Sequence, residues 1–323
     1  MIAIRDCAAP VTIRDVELDG NMEALIVGGQ FGDTGWQLPG TGLLLAGNLR
    51  DEIVENIHSH HHGQDGAMFI GSAKRIGRGI IRRLVSRYNG RQGLSITGGR
   101  GYDHFDCDFS HNARLEVKSA PAAGVDIEAE NPPIEDINFS RCNFIDNGGC
   151  GLVSDSGDSR NLKFTDCRFV GTTNWSAWPN KPGCSFTGCA FVGSVVHAFP
   201  SSNPRLATRF IECAFTDDPR LSPNGKVYTP GGPIVNLAES QNVFFDRCRF
   251  RLVSAGTLPW SWKAIYLDCV MSQKSRQSAN PKGRYLGRTT ISGPVDLYGS
   301  MIEGTVIANG QPIRRGPQGV LPW

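Results

Sequence analysis

Apolar positions recur along the chain in short, strand-length pieces, with no 10–15-residue amphipathic helix between them. One piece reads aromatic-x-x-Cys-x-Phe. It occurs as Phe139-x-x-Cys142-x-Phe144, Phe164-x-x-Cys167-x-Phe169, Phe186-x-x-Cys189-x-Phe191, Phe210-x-x-Cys213-x-Phe215 and Phe245-x-x-Cys248-x-Phe250. Cys107-x-Phe109 opens the series and Tyr266-x-x-Cys269-x-Met271 closes it, the cysteines stepping by 35, 25, 22, 24, 35 and 21 residues. Earlier copies put another apolar residue at the Cys position: Ile13-x-x-Val16-x-Leu18, Val54-x-x-Ile57 and Ile81-x-x-Leu84. A second piece is led by glycine at Gly42, Gly66, Gly93, Gly124 and Gly151, at steps of 24, 27, 31 and 27.

A period of roughly 20–30 residues marks a solenoid. Two strand columns at that period, without intervening helices, exclude Rossmann and TIM arrangements. The pattern predicts an all-β fold, a right-handed parallel β-helix, with the Cys and Phe of each copy pointing inward and like residues stacked about 4.8 Å apart. A leucine-rich repeat would need Leu-x-x-Leu-x-Leu and an asparagine ladder, and the pattern shows neither. One β-helix domain is expected over 1–310 without an N-terminal cap, then an irregular tail over 311–323. Turns lengthen between 201 and 233, and 272–287 reads as an exposed polar loop. Residues 1–7 lack the basic start and apolar stretch of a secretory leader and begin in mid-pattern. A preceding segment is therefore expected to be missing, and localisation is not read.

Ten cysteines raise the question of disulfides, but seven fall in one internal column, which gives no reason for pairs; free thiols packed as small apolar groups are expected. The net charge of +2, from 33 Lys and Arg against 31 Asp and Glu, lacks the basic excess of a nucleic-acid surface. No run of about 18 apolar residues occurs, so no transmembrane helix is expected.

The outward positions of the glycine-led strands change character along the stack. By alternation they are Leu44/Ala46, Met68/Ile70, Ser95/Thr97, Asp126/Glu128 and Val153/Asp155. Asp126 and Glu128 would lie about 7 Å apart on one strand, and Glu128 and Asp155 about 5 Å apart on adjacent coils. Carboxylates this close split their pKa values, as an acid and base pair in glycoside chemistry requires. The same oxygens would suit Ca²⁺. Asp126, Glu128 and Asp155 are the catalytic candidates. Turns before these strands supply His61, Asp65, Tyr88, Arg91 and Lys118 for sugar positioning. Trp175 and Trp178 are candidate stacking faces. His58, His60, His61 and His62 crowd one turn, but neighbouring imidazoles cannot all reach one ion and no Cys or His partner is spaced as a zinc site requires, so no metal is assigned there. His197, among apolar residues, reads as packed rather than catalytic.

The coil pattern resembles the pectate-lyase-like right-handed β-helix proteins over essentially the whole chain: pectate lyases, polygalacturonases, mannuronan C5-epimerases and phage tailspike depolymerases. Gln64-Asp65-Gly66 partly echoes a polygalacturonase motif, whereas the Arg-x-Lys motif and the epimerase Asp-Pro-His block are absent. Tyr88–Gly93 and Gly124–Glu130 are similar to segments of bacterial β-helix-repeat proteins. The resemblance implies a polysaccharide or oligosaccharide partner. A carbohydrate-active enzyme hydrolysing glycosidic bonds is favoured, because carboxylates dominate the strand face. The alternatives are a polysaccharide lyase or C5-epimerase acting on uronic acids, and a non-catalytic glycan-binding or phage-tail rod, trimeric if tailspike-like.

Overall fold

The computed structural model describes residues 1–24, 40–237, 239–313, 315–316 and 319–320. It is a right-handed parallel β-helix. The glycine-led column runs from Ile2–Arg5 through Leu43–Ala46, Ala67–Ile70, the start of Leu94–Phe105, Val125–Ile127 and Leu152–Ser154 to Val235–Asn236, every pairing parallel. A second column stacks Val11–Asp19, Glu52–His60 and Gly79–Arg87, then the end of Leu94–Phe105, Ile134–Ser140 and their successors to Met301–Ile302.

The aromatic-x-x-Cys-x-Phe motif is not one strand. A straight strand alternates faces, so Phe139 and Cys142, three apart, would face opposite ways. Arg141, at φ 53°, turns the chain between them and resets the parity. The motif thus spans two strands, Ile134–Ser140 and Asn143–Ile145, and the latter begins a third parallel column that runs to Thr305–Ala308. The same left-handed turn recurs at Asp15, Asn56, Arg83, Asp106, Asp166, Gly188, Glu212, Arg247, Asp268 and Gly287. Non-glycine residues adopt it at a cost of about 1–2 kcal/mol each. Their side chains stand outside and bond along the stack: Arg141 clasps Asp106 at 2.7 and 2.9 Å, and Arg247 reaches Glu212 at 3.0 Å.

Both aromatics of each motif point inward. His104, Phe139, Phe164, Phe186, Phe210, Phe245, Tyr266 and Tyr285 stack with ring centroids 4.2–5.2 Å apart. Phe144, Phe169, Phe191, Phe215 and Phe250 form a second stack at 4.5–4.9 Å. The two stacks meet edge to face, as ring quadrupoles prefer. All ten cysteines are unpaired. Inside, the motif thiols from Cys142 to Cys269 donate to the carbonyl of the aromatic one coil earlier, Cys167 to Phe139 at 3.5 Å and Cys248 to Phe210 at 3.3 Å. That weak donor distinguishes Cys from the Val or Leu that fills the position in the first coils.

An asparagine ladder is present, contrary to the sequence expectation, in the turn before the glycine-led strands. The Asn89 amide donates to Asn112 Oδ1 at 2.9 Å, and that of Asn112 to Asn147 Oδ1 at 3.1 Å; all three are buried. The leading glycines are required by the backbone carbonyl of the next coil, 2.7 Å from a Cβ on Gly93 and 2.6 Å from one on Gly124, and the ladder crowds the same space. A Cβ on Gly93 would lie 2.8 Å from Asn112 Nδ2, and one on Gly124 2.7 Å from Asn147 Nδ2. Two further expectations change. Within 272–287, Pro281–Leu286 is a rung with Tyr285 buried, its polar residues being the outward half of a strand. In the tail, Gln311–Pro312 pairs antiparallel with Ile307 and Ala308.

Candidate active site

The register sets Leu44, Met68, Ser95, Asp126, Val153 and Trp178 in one outward column of the glycine-led sheet. Outward does not mean exposed. Leu44, Ser95, Asp126 and Val153 are buried, and Ala123 and Cys150, with Trp175 and Trp178, pack around Val153. Asp126 retains 8% exposure, so it is not part of a solvated acidic ladder.

A hydrogen-bonded cluster surrounds it. Gln92 Nε2 donates to Asp126 Oδ2 at 2.5 Å. Ser95 contacts Gln92 Oε1 and donates to Asp65 Oδ2 at 2.8 Å. Arg91 grips Asp65 through two bonds of 2.7 Å, and Asp65 is fully buried. Burial pushes the Asp126 carboxyl up to about 7, and the charge of Glu128 adds to the rise, against the Gln92 bond and Arg91. For Asp65, burial raises the carboxyl while Arg91 and Ser95 oppose it. Arg91, lowered by burial, ends above its ordinary value because Asp65 holds it. The two directions conflict over who keeps the proton. Two parallel guanidinium–carboxylate bonds favour the charged pair.

Glu128 and Asp155 are exposed and do not form the expected in-strand pair. Pairing between their strands is confined to Leu152 with Val125 and Val153 with Asp126, and the strands end at Ile127 and Ser154. Beyond that point Lys181 Nζ donates to the Asp155 and Gly157 carbonyls at 2.8 and 2.7 Å, turning the chain away. Thr97 is also displaced, by a register shift after Phe69 that aligns Ile70 with Gly98.

His61 and Tyr88 stand in another arrangement, a ring stack with His111 on successive turns, with centroids 5.6 and 5.3 Å apart. Lys118 is exposed and has no hydrogen bond or ion pair among the described residues. Trp175 and Trp178 are half-buried, their rings 6.2 Å apart; Trp175 packs on Tyr228, and Trp178 on the half-buried His197.

Sequence reasoning missed the role of Gln92, although it sits directly before Gly93. Ser95 was legible from alternation alone. It also missed the bonds to Asp146, which accepts from His111 at 3.0 Å, Thr172 at 2.5 Å and Asn224 at 3.1 Å, and contacts Arg114. Asn224 lies 78 residues away, and no local pattern signals that contact. An open cavity of about 700 Å³ lies past the C-terminal ends of the first glycine-led strands, lined by Arg5, Asp6, Lys74, Asn131 and Pro132 among others, and takes in none of the candidates.

Parallel columns, inward ladders and polar outer turns define the class: a right-handed parallel β-helix presenting side chains on its outer faces. The chain belongs to the right-handed β-helix family, whose model, described as "Right handed beta helix region", matches residues 1–196. No curated protein matches it in sequence. Among solved structures it is similar to the tailspike protein gp49 from Pseudomonas phage LKA1, at 12% identity and a TM-score of 0.39, over 83% of this chain and 47% of that one. The chain thus spans about half the length of that tailspike protein.

Proposed function

We propose that the protein hydrolyses glycosidic bonds in a polysaccharide, with Asp126 as proton donor and Glu128 as its ionised partner. The observation that carries this reading is a buried outer-face carboxyl raised to about 7 beside a second, exposed carboxylate. A general acid works best with a pKa near the operating pH, and glycoside hydrolysis uses one protonated and one ionised carboxyl. Gln92 and Ser95 position Asp126, and the Asp65–Arg91 pair anchors Ser95. Lys118, exposed, is available to meet an anionic sugar. Arg91 is committed to Asp65 and does not itself serve as the uronate-neutralising cation that the lyase and epimerase alternatives require. Asp155 stays outside the acid–base pair.

The test is reducing-end release and ultraviolet absorbance over a polysaccharide panel, with Ca²⁺ and with chelator. Asp126→Asn and Glu128→Gln are each expected to lower hydrolysis by roughly 100- to 10,000-fold in folded protein. Undiminished turnover in Asp126→Asn overturns the assignment. Ultraviolet-absorbing products would move it to a lyase, and binding without cleavage to a glycan-binding rod. The wild-type rate falls as pH rises through about 7, because Asp126 then loses its proton. The folded pKa lies above the ordinary 3.8, so stability relative to Asp126→Asn is highest at acid pH and declines between about 4 and about 7.

A further inference from the structure

The crowded histidines acquire partners that no spacing within their own turn reveals. In the register between Val11–Asp19 and Glu52–His60, Glu17 lies opposite His58 and Asp19 opposite His60. Residues two apart share a strand face. Two carboxylates of one coil therefore face two imidazoles of the next. His62 leaves this array: its Nε2 bonds the Leu18 carbonyl at 3.1 Å and the residue is buried.

We propose that Glu17, His58 and His60 bind one divalent transition ion of the zinc class. Glu17 Oε1 lies 3.1 Å from His60 Nε2 and 3.7 Å from His58 Nδ1, and the three ligand atoms all fall within 4.8 Å of one another. Bonds of about 2.0–2.2 Å in tetrahedral directions put ligand atoms about 3.3–3.6 Å apart, so an ion fits with little movement. Two imidazole nitrogens and one carboxylate oxygen suit zinc, cobalt or nickel rather than calcium, which takes oxygen ligands alone. The nearest cation on the next coil, Arg87, is drawn off by Asp108 through Nε at 3.0 Å and a second contact. His60 is mostly buried, while His58 and Glu17 are open to solvent, leaving a fourth position for water. A second group, Asp19, His60 and His61, shares His60, with His60 Nδ1 and His61 Nδ1 2.7 Å apart. That separation is a hydrogen bond between rings and is too short for two ligands of one ion, so the first group is the site.

The ion ties the coil of Val11–Asp19 to the coil of Glu52–His60, and is expected to raise the thermal midpoint of the chelator-stripped chain. The experiment is calorimetric titration of the full chain with Zn²⁺, together with Co²⁺ absorption to report coordination. One equivalent is expected to bind. His58→Ala and Glu17→Gln should each weaken it at least tenfold, and Asp19→Asn, which removes a ligand of the second group only, should leave it within about twofold. His58 and Glu17 are exposed, so unchanged circular dichroism of their metal-free variants separates ligand loss from misfolding. No Zn²⁺ binding, binding that survives His58→Ala, or binding lost only in Asp19→Asn overturns the proposal. The site is independent of Asp126, so its failure leaves the hydrolase reading untouched.

Discussion

The coils up to Asn147 and those after Phe164 follow the same path but are held together differently. In the later coils two aromatic stacks and a column of thiols fill the interior, having begun at His104, Phe144 and Cys107 beside the last rungs of the amide ladder, and rings repeat at 4.7–5.2 Å. In the earlier coils a buried amide ladder runs through the turn before the glycine-led strands, each rung bonded to the next. The Asp65–Arg91–Ser95–Gln92–Asp126 cluster and the histidine array both belong to the earlier coils. Apolar stacking gains from uniform repetition and offers nothing to a ligand. An amide ladder holds the turn by directional bonds and leaves neighbouring positions free to vary, so chemistry can differ from coil to coil without loosening the stack.

Substitutions can break this contrast. The largest stability effect is expected from Phe191→Ala, which opens a cavity between two stacked neighbours and should cost about 3–5 kcal/mol in denaturant unfolding. Asn112→Ala should cost less, about 1–3 kcal/mol, because it strands the Asn89 backbone N–H and amide that it accepts. If the ladder mainly shapes the turn, hydrogen exchange in that variant should rise around residues 89–93 and stay unchanged in the aromatic coils. Arg141→Gly should be the mildest, within about 1 kcal/mol: glycine relieves the left-handed turn while the exposed bond to Asp106 is lost. A loss as large as that of Phe191→Ala would mean that the external charged column, not the interior, holds the coils.

Much of the fold was legible because repetition is a sequence property. The Cys and Phe columns, the glycine-led column and the outward placement of Ser95 and Asp126 follow from period and alternation. The split of the Cys motif into two strands was hidden because nothing local marks Arg141 or Glu212 as left-handed; the parity of inward residues alone demands it. The asparagines were equally obscure. Asn89, Asn112 and Asn147 sit at irregular steps, and only stacking turns them into a ladder that, with the backbone of the next coil, crowds Gly93 and Gly124.

For the site, the sequence by itself determined that Asp126 faces outward in the column of Ser95, since alternation along a strand is fixed by the backbone. Tertiary structure alone decided which of them are buried. Asp126 is buried while Glu128 and Asp155 stand in water, and that desolvation raises the Asp126 carboxyl. The neighbours of His58 and His60 were likewise settled by register between coils, because residues 41 apart meet only when one coil lies on the next.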